Sequence, residues 1–149
     1  MADRAPAVRG VIEALAGWQV LVAQFNDLVA RKLGVTPTET QCLYVLTRYG
    51  PSTAGDIAVR VNLSTGATTR MLDRLQRAGY INRRPDPSDR RRVVIETAGD
   101  GVDQVAALYT PLNTDLAELL TGFDTAGLHE LAAFARAAEE LTLQHIREL

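Results

Sequence analysis

Nine arginines stand between Arg60 and Arg92, at positions 60, 70, 74, 77, 83, 84, 90, 91 and 92, against three acids, Asp73, Asp86 and Asp89. That stretch carries +6, whereas the rest of the 149-residue chain has seven basic and fifteen acidic residues, so the net charge of −2 hides a strong segregation. Guanidinium groups stay charged and match phosphate oxygens in a fork, so a positive stripe on an otherwise acidic protein is the footprint of a polyanion-binding face. Three acids cannot pair with nine arginines, which argues against a surface that is merely salt-bridged. The same stretch holds Ser64, Thr65, Thr68 and Thr69, whose hydroxyls can donate to phosphates or base edges.

Other chemistries find little support. There is no phosphate-binding glycine loop, no Ser/His/Asp set and no carboxylate pair in a plausible cleft, which argues against an enzyme. Cys42 is the only cysteine, so no intramolecular disulfide can form, and between Gln41 and Leu43 it reads as a small core residue with no redox role. His129 and His145 lack clustered acids or thiols, so no metal and no cofactor is expected. No apolar run reaches the length of a membrane span, and Asp3, Arg4 and Arg9 interrupt the first ten residues, so a cytoplasmic protein with no membrane partner is expected.

The arginines and hydroxyls need elements to hold them. With 46% apolar residues but only 5% aromatic ones, the chain draws its apolar content from Ala, Leu and Val, which favours helices. Val8, Val11, Ile12, Leu15, Trp18, Val22, Phe25, Val29 and Leu33 recur at steps of three and four, predicting one long amphipathic helix closed by Gly34. Thr36-Pro37-Thr38-Glu39 sets a capping threonine, a proline at the first helical position and a glutamate at the third, so a second helix runs to about Tyr49. Ser52 or Thr53 caps a short third helix that ends near Val61, with Asn62 as the left-handed residue. Ser64 caps a fourth, which buries Ala67, Met71, Leu72, Leu75 and Ala78, shows Thr65, Thr68, Thr69, Arg70, Arg74 and Arg77 outward, and stops at Gly79.

Tyr80 to Arg84 and Arg91 to Glu96 read as two strands joined through Pro85-Asp86-Pro87-Ser88-Asp89, a hairpin with an arginine-rich tip. Thr97 is placed to cap a fifth helix carrying Val102, Val105, Leu108, Leu112, Leu116, Leu119 and Phe123. Asp124 caps a sixth, carrying Leu128, Leu131, Ala138, Leu141 and Ile146. The predicted fold is mainly α with a small β-hairpin wing. It is a winged helix-turn-helix over residues 36–97, flanked by helical dimerisation regions at 1–35 and 98–149. The major groove of DNA admits one helix, and a narrow basic hairpin can reach the adjacent minor groove. Terminal helices with more apolar stripe than so small a core can cover point to a second copy of the chain.

Leu63 to Ile81, L-S-T-G-A-T-T-R-M-L-D-R-L-Q-R-A-G-Y-I, resembles the recognition helix of the MarR transcriptional regulators, with that family's leucine and glycine at Leu75 and Gly79. Asp86 to Thr97, D-P-S-D-R-R-R-V-V-I-E-T, resembles the family's wing, whose Asp-x-Arg signature falls on Asp89 and Arg91, followed by a Thr-x-Gly helix start at Thr97 and Gly99. Two positions depart from the pattern: Gly66 lies in the first turn of the recognition helix, and Glu96 stands where an apolar residue is usual. The resemblance covers nearly the whole chain. It implies a homodimer on a pseudo-palindromic operator in double-stranded DNA, repressing transcription until a small molecule or oxidant loosens it.

The candidate DNA-binding residues are therefore Ser64, Thr65, Thr68, Thr69, Arg70 and Arg74 on the recognition helix and Asp89, Arg90, Arg91 and Arg92 on the wing. Arg91 is expected to enter the minor groove with its guanidinium held by the Asp89 carboxylate. Trp18, Phe25, Tyr44 and Tyr49 have the character of a pocket for a small aromatic or amphipathic effector, although residues of this kind are more often core. The reading from another class is an architectural or protein-binding winged-helix protein without sequence preference.

Overall fold

The computed structural model describes residues 4–149; the first three residues of the region expected at 1–35 lie outside the described residues. Six helices and one hairpin follow in the predicted order: α1 Arg4–Leu33, α2 Pro37–Tyr49, α3 Ala54–Arg60, α4 Thr65–Arg77, β1 Ile81–Pro85, β2 Val93–Thr97, α5 Gly99–Leu120 and α6 Thr125–Glu148. The chain divides into two compact units, one reaching to Leu108 and the other beginning at Tyr109.

Local chemistry explains most element boundaries of the first unit. Thr36 and Glu39 close a reciprocal capping box: the Thr36 hydroxyl accepts the Glu39 N–H, and the Glu39 carboxylate accepts the Thr36 N–H. Thr53 and Asp56 repeat the device at α3, where the hydrogen bond from the Thr53 hydroxyl holds the Asp56 carboxyl below its usual range. Asn62 adopts φ 53° in the turn between α3 and α4, and Ser64 then caps α4 by accepting the Ala67 N–H.

The side chains of α2, α3, α4 and the hairpin meet in a core of Cys42, Leu43, Leu46, Ile57, Met71, Leu72, Leu75, Ile81 and Ile95. β1 and β2 pair antiparallel, Ile81 opposite Thr97 and Pro85 opposite Val93. Ser52 exchanges both backbone hydrogen bonds with Ile95, which anchors β2 to the connection between α2 and α3. The wing is thereby a fixed part of the core rather than a loose ribbon.

The junction after the recognition helix differs from its sequence reading. Tyr80 is not the first strand residue: it is buried, and its hydroxyl donates to the Leu33 carbonyl at the end of α1. Thr97 does not cap α5. It ends β2 opposite Ile81, and α5 opens at Gly99. Tyr80 sits so close to the α5 backbone that a Cβ on Gly101 would lie 2.6 Å from its ring and 3.0 Å from its Cα, so no other residue fits at 101 without movement.

α5 contains Pro111, which cannot donate the helical hydrogen bond to the carbonyl of Ala107. Asp124 caps α6 as expected, by accepting the Gly127 N–H. No helix of the described residues is long and apolar enough to cross a membrane.

Candidate nucleic-acid interface

α4 presents its first turn to solvent. Thr65, Gly66, Thr69 and Arg70 are exposed, and Ser64 is exposed at the cap. Thr68 is the exception among the expected contacts: it is 1% exposed, buried as deeply as Met71, Leu72 and Leu75, and its hydroxyl donates to the Ser64 carbonyl. A residue three positions before Met71 and four before Leu72 lies on the buried side of the helix, so Thr68 is a core residue. Thr69 spends its proton on the Thr65 carbonyl, which leaves its oxygen as an acceptor. The Arg70 guanidinium lies over the first turn, 3.9 Å from where a Cβ on Gly66 would stand.

The wing tip is built from carboxylate turns. The Ser88 N–H and hydroxyl both donate to the Asp86 carboxylate and hold it below the usual carboxyl range, the N–H contributing most. The Asp89 carboxylate accepts the backbone N–H of Arg91 at 3.0 Å, and the Asp89 carbonyl accepts the N–H of Arg92. This replaces the expected grip on the Arg91 guanidinium: a side chain two residues back in a tight turn reaches the backbone before it can reach the end of a long side chain. Arg90, Arg91 and Arg92 are all exposed.

Charge counting along the chain overstated the unpaired positive charge, because the fold brings in acids from outside the stretch. Arg74 donates from Nε to Glu39 of α2 at 2.7 Å, and Arg84 donates to Glu96 of the facing strand. Arg83 bridges back to Asp73 at 2.8 Å and to Gln76. The Arg60 guanidinium lies 3.7 Å from the centre of the Tyr49 ring, a cation–π contact. Among the described residues, Arg60, Arg70, Arg77 and Arg90 to Arg92 of that stretch make no ion pair; Arg60 lies on the Tyr49 ring and Arg77 donates to the Asp73 carbonyl, while Arg70 and Arg90 to Arg92 stand at the helix start and wing tip. Glu96, out of pattern by sequence, is accounted for as the partner of Arg84.

Sequence reasoning missed Glu39 as a partner of Arg74. The capping-box spacing was visible, but a second carboxylate oxygen aimed at a residue 35 positions away leaves no local signal. Trp18, Tyr44 and Tyr49 are about half exposed and do not form a core. Cys42 does: it is fully buried, and burial, with the nearby Glu39 charge, pushes its thiol up to about 12. Among the described residues no group of three or more His, Cys, Asp or Glu could hold a metal ion.

Residues 35–93, the stretch containing this helix-turn-helix and most of the wing, match the model of the MarR family. The uncharacterised HTH-type transcriptional regulator YcgE of Bacillus subtilis is 33% identical over 125 residues, covering 84% of this chain and 81% of that protein. The chain belongs to the MarR family. The multiple antibiotic resistance protein MarR of Salmonella typhimurium is 33% identical over 89 residues, 60% of this chain and 62% of that one. RV1404 from Mycobacterium tuberculosis superposes with a TM-score of 0.67 at 25% identity, covering 89% of this chain and 94% of that chain. The regulator Tm0710 of Thermotoga maritima shares the fold, with a TM-score of 0.65 at 18% identity over 93% and 98% of the two chains. This MarR-family chain is a transcriptional regulator, and its exposed Arg70 and Arg90 to Arg92 stand at the start of α4 and at the wing tip.

Proposed function

We propose that the protein is a homodimeric repressor that binds a pseudo-palindromic operator and is released by a small aromatic or amphipathic effector. The observation that carries the DNA reading is the coincidence of two exposed cationic elements on one rigid core: Arg70 over the start of α4, and Arg90 to Arg92 at the tip of a wing pinned through Ser52. Ser64, Thr65, Thr69, Arg70 and Arg74 are assigned to the major groove and its flanking phosphates, and Arg90, Arg91 and Arg92 to the adjacent minor groove. Asp89 serves by shaping the turn that presents Arg91.

Residues 36–97 form the DNA-binding part in this reading, and 1–35 with 98–149 the dimerisation region. Support for the second copy comes from the exposed apolar side chains Val8, Val11, Ile12 and Trp18 of α1, Leu119 of α5, and Leu131, Phe134, Leu141 and Ile146 of α6.

The test is titration of the purified protein against DNA it recovers from its own genome, with bulk DNA as competitor. If the dimer neutralises about 6–10 phosphates, affinity falls roughly 10³–10⁵-fold between 50 and 200 mM salt. Arg91→Ala melts like the parent and loses on the order of 1–3 kcal/mol per contact, felt twice in a dimer. Loss of the recovered DNA to bulk competitor would identify a binder without sequence preference. Equal affinity of Arg91→Ala and the parent would remove the wing from the mechanism.

A further inference from the structure

We propose that Glu39 is a positioning residue for DNA recognition, holding the Arg74 guanidinium in one geometry on the face of α4 so that operator is preferred over other DNA. The inference rests on the DNA-binding reading above and names a residue outside the recognition helix and the wing.

Glu39 is 5% exposed, and a carboxylate taken from water must have its oxygens satisfied. They divide the work between two elements: one accepts the Thr36 N–H at 2.8 Å, the other the Arg74 Nε–H at 2.7 Å. The first bond ties Glu39 into the capping box of α2, so the anchor itself is rigid. The second uses the Nε–H, and the two terminal nitrogens of the guanidinium, on a side chain 52% exposed, keep N–H groups to donate. A phosphate meeting those nitrogens shares the guanidinium with Glu39 and need not displace it.

Arg74 is alone among the three arginines of α4 in being held by an acid of another helix. Arg77 donates from Nε to the Asp73 carbonyl of its own helix, and Arg70 lies over Gly66. An arginine already held loses little freedom on binding, and a phosphate contact of fixed position sets the register in which the helix meets base edges. Non-specific DNA needs only charge, so it gains nothing from the fixed geometry.

The experiment measures affinity for recovered operator and for random duplex, each across a salt series, with Glu39→Gln and Arg74→Lys. Glutamine also serves at the third position of a capping box, and a thermal melt verifies that α2 is kept. Exchange of a charge-assisted for a neutral hydrogen bond lowers the operator-to-random ratio about tenfold, with the salt slope unchanged. Arg74→Lys keeps the charge and the cap but not the fork, and lowers the ratio similarly. An unchanged ratio in Glu39→Gln overturns the proposal. So does an equal loss when Glu39→Gln is made in an Arg74→Gln background, since Glu39 would then act without Arg74. A parent protein that prefers no recovered DNA would overturn the DNA reading itself, an outcome visible before any variant is made.

Discussion

The winged part of the chain, residues 36–97, and helix α6 carry apolar residues at similar helical spacing, yet they end in opposite environments. In the winged part Leu43, Ile57, Met71, Leu72, Leu75, Ile81 and Ile95 are almost wholly removed from solvent. In α6 no residue is buried, and Leu131, Phe134, Leu141, Leu143 and Ile146 are each at least 40% exposed. An apolar stripe states that one side of a helix needs cover. What covers it is a separate matter: in the winged part three helices and a hairpin cover one another, whereas the stripe on α6 is not covered within its own unit.

The comparison is sharpened first in the core, where truncation is most costly. Leu72→Ala should lower stability by about 2–5 kcal/mol, read as a fall in denaturation midpoint with the slope unchanged. A cost below that of a typical surface substitution would mean the winged core is not the stable part. Next comes the open stripe: Leu141→Asp is exposed in one chain, so folding is retained, but at a subunit interface the carboxylate is unpaired. Its dimer should dissociate on the order of tenfold to a hundredfold more readily, about 1.4–2.8 kcal/mol, in sedimentation equilibrium. A parent that sediments as a monomer at micromolar concentration would break the comparison at its second half.

Gly101→Ala tests the close approach of α5 to Tyr80 and should cost about 1–3 kcal/mol by overpacking, despite the better helix propensity of alanine. A stabilised variant would show that Tyr80 moves aside freely. The smallest effect concerns Cys42. Its folded-state thiol is raised from 9.0 to about 12 by burial, so between those values the folded chain holds a proton that the unfolded chain releases. Stability contributed by the neutral thiol is therefore present below pH 9 and falls as pH rises, and Cys42→Ala should show a shallower loss than the parent across that range. Identical slopes in the two proteins would place the thiol in contact with water.

The capping box at Thr36, the left-handed Asn62, the caps at Ser64 and Asp124 and the stop at Gly79 were legible because each is set by residues within four positions of one another. For the same reason the helix-turn-helix and the basic hairpin could be placed by residue number. Thr97 was misread because the same local pattern serves a strand end or a helix cap, and pairing with Ile81 chose the strand. The Asp89 reading failed on geometry: the carboxylate could reach two groups of Arg91, and the turn put the backbone N–H nearer.

Sequence alone therefore determined the order of elements and the location of the cationic stretch. Both follow from side-chain type, periodicity and short-range hydrogen bonding, which act along the chain. Tertiary structure decided which arginines in that stretch are held by an acid and which stand without one. Glu39 and Glu96 neutralise Arg74 and Arg84 across elements, Thr68 turns into the core, and the wing is pinned through Ser52. Electrostatic pairing depends on distance in space, and folding brings together charges that no spacing rule connects.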